Sequence, residues 1–148
     1  MGEFQRREAA ENSGIPARRV QFYTDVGVIR LDEQHTGRGR ERAYSRQNLF
    51  ELLVVKELAD QKIELAQIRR IVSELPQKLG VDFLNLDSIA KSKGGAYLYV
   101  YPDGKISYDK QKDPDTLRRS DIVKIEMRNY ASAVVVNLSL LADRVLKG

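Results

Sequence analysis

Residues 15–45, IPARRVQFYTDVGVIRLDEQHTGRGRERAYS, constrain this chain more than any other stretch. Residues 6–13 before them read as a short helix, and Gly14 is its stop, because a residue without Cβ takes the left-handed backbone at low cost. Ile15 turns inward and Pro16 opens a second helix at its first position, where a missing N–H costs nothing. Helix, glycine-containing turn, helix is the helix-turn-helix signature. In the second helix Val20 and Tyr23 stand three apart, which leaves Arg18, Arg19 and Gln21 a way out to solvent. Gly27 ends that helix. Residues 28–31 are a short strand candidate that Ala43 and Tyr44 can pair with, and residues 32–42 between them make a polar loop, a wing, with glycine at 37 and 39.

Charge in this region is distributed unevenly. From Arg18 to Arg46 there are seven arginines, four acids and no lysine, although the whole chain is only +4. Arginine offers a planar, multi-donor group matched to phosphate and guanine, so an all-arginine cluster fits nucleic acid better than an ordinary solvated face. A cationic helix followed by a cationic loop is the shape of a winged helix-turn-helix on duplex DNA.

Beyond the wing, Ser45 is placed to cap a helix over 46–60 with Leu49, Leu52, Leu53 and Leu58 on its apolar stripe. A further helix over 64–75 carries Leu65, Ile68, Ile71, Val72 and Leu75, and Pro76 stops it. After Pro76 the pattern changes, which places a boundary between a domain at 1–76 and a second at 77–148. In the second, residues 82–93 suggest a short helix capped by Asp82 and stapled by Val81 and Leu86. Two strands flank the turn Pro102-Asp103-Gly104. Residues 122–127 alternate like a strand with one wet face, 133–138 like a more buried one, and Asn137 or Ser139 caps a last helix. The expected fold is a mainly α winged helix-turn-helix followed by a small α+β unit with an antiparallel sheet of about four strands.

Composition removes several function classes. With 42% hydrophobic and 31% charged residues the chain is expected to fold. It has no cysteine, which excludes disulfides, thiolate metal sites and thiol redox sensing, and its single histidine, His35, falls in the wing as a solvated loop residue. There is no phosphate-cradling glycine motif, and the carboxylates are scattered, so no enzyme, metal or cofactor is expected. The charged N-terminus and the brevity of the longest apolar run, 133–136, argue against a leader or a membrane span, which gives a cytoplasmic, nucleoid-associated expectation.

The segments REAAENSGI, RRVQFYTDVGVI and GRGRERAYSRQNLFELLVVKELADQKIELAQIRRIVSEL resemble the MerR family of bacterial transcription regulators over about residues 4–75. The matching features are the pair Phe22-Tyr23, the turn Gly27-Val28, the wing end Arg42-Ala43-Tyr44-Ser45 and the step Ile63-Glu64-Leu65-Ala66-Gln67-Ile68. The resemblance implies a second helix in the major groove, with Arg18, Arg19 and Tyr23 on its recognition face, and a wing with Arg38, Arg40, Arg42 and Tyr44 on the flanking backbone. It further implies double-stranded DNA as partner, RNA polymerase at a promoter, and a homodimer that bends and untwists DNA. Three departures stand out. Gln21 occupies a position where the family usually has arginine, turning a charge contact into a base or water contact. Leu31 occupies a usual proline, and Pro76 with Gly80 breaks the stretch that is usually a long dimerisation helix. Dimerisation is therefore expected either to use another surface, the 82–93 helix or the C-terminal unit, or to be absent.

Two residues admit two roles each. Tyr44 either packs the wing against the body or touches DNA, and Phe22 is expected in the core rather than at the contact. Tyr97, Tyr99 and Tyr101 alternate along one strand with Tyr108 opposite, either as a ligand or partner face or as ordinary cross-strand aromatic pairing. Two other readings compete with transcription control: an architectural or phage-type protein that bends DNA, and a protein-interaction module on a helix-turn-helix fold.

Overall fold

The computed structural model describes residues 3–31, 43–80, 83–92, 95–110 and 128–147. The chain divides into two compact units, Met1–Asn85 and Leu86–Gly148.

In the first unit, α1 (Arg6–Ser13) ends at Gly14, whose φ of 76° lets its amide return to the Ala10 carbonyl at 3.0 Å. Ile15 is buried, as its place in the turn requires. Pro16 precedes α2 (Ala17–Asp25) by one residue, and its carbonyl accepts from the Arg19 and Val20 amides at 2.8 and 3.0 Å. Beyond α2, Gly27 turns left-handed with φ 81°, and the amides of Val28 and Ile29 both bond the Tyr23 carbonyl, at 2.9 and 3.2 Å.

This helix ending overturns the strand expected at 28–31. Val28 and Ile29 both point inward, each 1% exposed, so the alternation a strand needs is absent. Their amides are spent on closing α2 and are not available to a ladder. The partner of β2 (Ala43–Ser45) is instead β1 (Glu3–Gln5), antiparallel, with Glu3 opposite Ser45, Phe4 opposite Tyr44 and Gln5 opposite Ala43. Three residues with one apolar side chain are too few to show a period, which is why β1 escapes sequence reading.

Ser45 caps α3 (Arg46–Asp60) as its position requires. Its hydroxyl accepts from the Asn48 amide at 3.1 Å, while the Asn48 side-chain oxygen accepts from the Ser45 amide at 3.0 Å. Beyond the expected stripe, Phe50, Val54 and Val55 are fully buried too. A helix apolar on more than one side is an interior helix, and α3 is the centre of this unit.

Pro76 does not stop the next helix. The run continues as α4 (Leu65–Arg69), a π-helical turn (Arg70–Glu74) and α5 (Leu75–Leu79), closing at Gly80 with φ 108°. In an α-helix the proline ring would collide with the carbonyl four residues back. The widened turn, in which the Leu75 amide reaches the Arg70 carbonyl, absorbs that conflict. Phe83 and Leu84 complete the unit and are buried.

The second unit holds α6 (Leu86–Ala90), β3 (Ala96–Val100), β4 (Ile106–Lys110), β5 (Val134–Asn137) and α7 (Leu138–Lys147). Among the described residues the sheet has three antiparallel strands in the order β4-β3-β5. The strand expected at 122–127 lies outside the described residues, as do the Asp82 cap and Val81 staple, and α6 is shorter than the 82–93 helix anticipated. The β3–β4 turn forms at Pro102-Asp103-Gly104, closed by the Tyr101 amide on the Lys105 carbonyl at 2.9 Å. Of the two capping candidates, Asn137 takes the Leu140 amide at 3.0 Å, and the Ser139 hydroxyl instead accepts from the Ala96 amide at 2.8 Å, tying α7 to β3. The expected burial of the last strand is only half met. Val136 is buried but Val135 is 52% exposed, so β5 has one wet face.

Candidate nucleic-acid interface

The outer face of α2 carries Arg18, Arg19, Gln21 and Phe22, all exposed, while Val20 and Tyr23 pack inward. The aromatic pair therefore reverses the expected roles. Phe22 is 38% exposed and Tyr23 only 6%. The cause is helical spacing: Tyr23 stands three residues from the fully buried Val20 and shares its inward face, and Phe22 falls outside it. The Arg19 guanidinium carbon stands 6.0 Å from the centre of the Tyr23 ring, so Tyr23 serves the face indirectly, by holding an arginine over its ring.

Tyr44 resolves in favour of packing. It is fully buried, and its hydroxyl lies 2.9 Å from the Thr24 hydroxyl, which itself donates to the Val20 carbonyl at 2.8 Å. Strand β2 is thereby fastened to the last turn of α2. Arg38, Arg40, Arg42 and His35 lie outside the described residues.

Behind the face is a polar network that sequence reading missed. The Arg30 Nε donates to the Ser73 hydroxyl of the π-helical turn at 2.6 Å, and the Arg30 carbonyl accepts from Asn48 Nδ2 at 3.0 Å. Asn48 Nδ2 also donates to Glu51 Oε1 at 3.0 Å, and Gln47 Nε2 donates to Glu51 Oε2 at 3.1 Å and to the Leu84 carbonyl at 2.8 Å. The segment leaving α2 is thus tied to the first turn of α3 and through it to residue 84. Glu51 is half-buried as a residue, and burial of its carboxyl pushes the pKa up from 4.5 to about 7, against the lowering effect of the Gln47 and Asn48 bonds. The local signal was a cluster of polar residues at 47, 48 and 51 beside the apolar residues 49, 50 and 52–55 of the same helix.

The family model described as MerR HTH family regulatory protein matches residues 4–75. Residues 4–75 are a MerR-type helix-turn-helix domain. The matched residues run from β1 through the π-helical turn, and so contain both helices of the turn, β2 and all of the network except Leu84. MerR-type regulators bind DNA, which supports DNA as a partner and a regulatory role for this domain. A comparison with curated proteins finds no match. No helix among the described residues is long and apolar enough to cross a membrane.

The MerR match ends before the tyrosine-bearing strand. Tyr99 and Tyr101 are buried, with Tyr97, Tyr130 and Ala133 packed against them. The Tyr101 and Tyr130 rings stack at 4.2 Å between centroids, and the Tyr101 hydroxyl lies 2.8 Å from that of Ser107. Tyr108 stands opposite Leu98, and so on the other face of the sheet from Tyr99, whose partner is Ser107. The structure therefore brings Tyr97, Tyr99 and Tyr101 together and leaves Tyr108 out. Asp103 in the neighbouring turn accepts from the Lys105 amide and the Tyr130 hydroxyl, which hold its carboxyl below the usual range.

Proposed function

We propose that this protein is a sequence-specific transcriptional regulator that lays α2 in the major groove, with Arg18 and Arg19 reaching base edges and phosphates. Arg38, Arg40 and Arg42 grip the flanking backbone, and residues 86–148 hold two copies together at a promoter that RNA polymerase also occupies. The observation that carries this reading is the outward set Arg18, Arg19 and Gln21 on a second helix seated against α1 within a MerR-family domain. Arginine presented from a helix of groove-fitting width is suited to guanine, and each good bidentate pair is worth about 1–3 kcal/mol of discrimination. The tyrosines of β3 are assigned to the sheet core, since Tyr99 and Tyr101 are both spent in an aromatic cluster.

The test begins with selection of duplexes from a random pool by the full-length protein, followed by affinity measurements across salt concentrations. The selected site should bind far more tightly than random duplex, with a log–log salt slope that counts several phosphate contacts. Arg18→Ala and Arg19→Ala should relax preference at defined base pairs. A pool that yields no enriched sequence, or affinity indifferent to salt, would sink this reading.

A further inference from the structure

Arg6 lies fifteen residues before Gln21, in the first turn of α1, yet its Nη1 donates to the Gln21 Oε1 at 2.7 Å. Both side chains are exposed, and the bond bridges the two helices of the turn at their outer surface. It has two chemical consequences. The first concerns Gln21. Glutamine reads adenine by pairing its carboxamide oxygen and nitrogen with N6 and N7 together, and here the oxygen already accepts from Arg6, which fixes the orientation of the carboxamide. The Nε2 donors of the side chain remain to face a ligand. The second concerns Arg6, which has five donors in a rigid fork and spends one on Gln21. What the pair presents is a positive charge and a set of donors that outnumber its one partly used acceptor, which is the chemistry of a phosphate site.

Placement points the same way. In a helix-turn-helix the second helix lies in the groove while the first crosses the backbone. Arg6 belongs to the first helix, and Gln21 draws its head toward the face that bears Arg18. Arg7, its neighbour, is instead turned along α1 to Glu11 at 3.5 Å.

We propose that Arg6 grips a backbone phosphate of the bound duplex, and that Gln21 is a positioning residue that holds the Arg6 fork toward it and does not read a base. This rests on the DNA-binding reading above. It adds one charge contact that the sequence places far from the second helix.

The experiment measures binding of the full-length protein, as wild type and as Arg6→Ala, Arg6→Lys, Gln21→Ala and the Arg6→Ala/Gln21→Ala double variant. The probes are the selected duplex and a duplex of random sequence, each titrated over a range of salt. Arg6→Ala should weaken both duplexes by a similar factor and reduce the salt slope by about 1. Arg6→Lys should keep the slope but lose part of the affinity, since a point charge cannot serve glutamine and phosphate in one plane. Gln21→Ala should weaken binding less than Arg6→Ala, leave base preference unchanged, and add little to the double variant. If Arg6→Ala binds like wild type with an unaltered slope, the phosphate contact is overturned. If Gln21→Ala changes preference at one base pair, the positioning role is overturned. A wild-type protein with no salt-dependent duplex binding would overturn the underlying reading instead, an outcome distinct from both.

Discussion

At the residue scale, the side chains that face outward on α2 are few, and the buried ones that hold them are specific. Glu51 is the most consequential of the latter. With its carboxyl raised to about 7, the folded state favours the protonated acid, whereas in the unfolded chain the group titrates near 4.5. Its stabilising contribution is therefore complete below about pH 4.5 and is lost as pH climbs through 7, a difference on the order of 3 kcal/mol. Thermal unfolding followed by circular dichroism should show a midpoint that falls between about pH 4.5 and 7, the window set by those two values. Glu51→Gln should flatten that slope; an equal slope in the variant would assign it to other groups. Arg18, Arg19 and Gln21 were legible from helical spacing alone. Tyr23 and Phe22 were not, because which of two adjacent aromatics is buried depends on tertiary packing. Arg6 was invisible for a related reason: its partner is fifteen residues away.

At the element scale, local signals that terminate or cap helices were read well where the terminator acts alone. Gly14 and Ser45 do what their chemistry dictates, because each needs only its own backbone or side chain and a neighbour three or four residues away. Ser45→Ala should cost about 1 kcal/mol, read as a lower denaturant midpoint at unchanged slope; no loss would mean that β2 pairing alone sets the start of α3. Pro76 misled because a helix can widen by one residue per turn to pass a proline, and nothing in the local sequence announces it. The strand at 28–31 misled for the opposite reason. Its β-branched residues fit a strand, but the end of α2 claims their amides first.

At the scale of the whole molecule, the compact units meet at Asn85–Leu86, nine residues past the proline that suggested a boundary. A chain ending at residue 76 would lose the Leu84 carbonyl that Gln47 holds and the buried side chains of Phe83 and Leu84. The informative truncation therefore ends at Asn85. If residues 86–148 join two copies, light scattering should give a dimer for the full chain and a monomer for residues 1–85. A full chain that stays monomeric at tens of micromolar would instead remove the rigid dimer that promoter untwisting requires.

The pairing of β1 with β2 also bears on the order in which the first unit folds. The two strands enclose residues 6–42, so joining them in an open chain means closing a long loop, at an entropic cost of roughly 3 kcal/mol, for a ladder only three residues deep. So short a ladder does not repay that cost alone. The strands can meet only after α1, α2 and α3 have drawn the chain together, which makes their contact a late event in folding. By the same reasoning it is the first to come apart, and the root of the arginine segment loosens before the helices do.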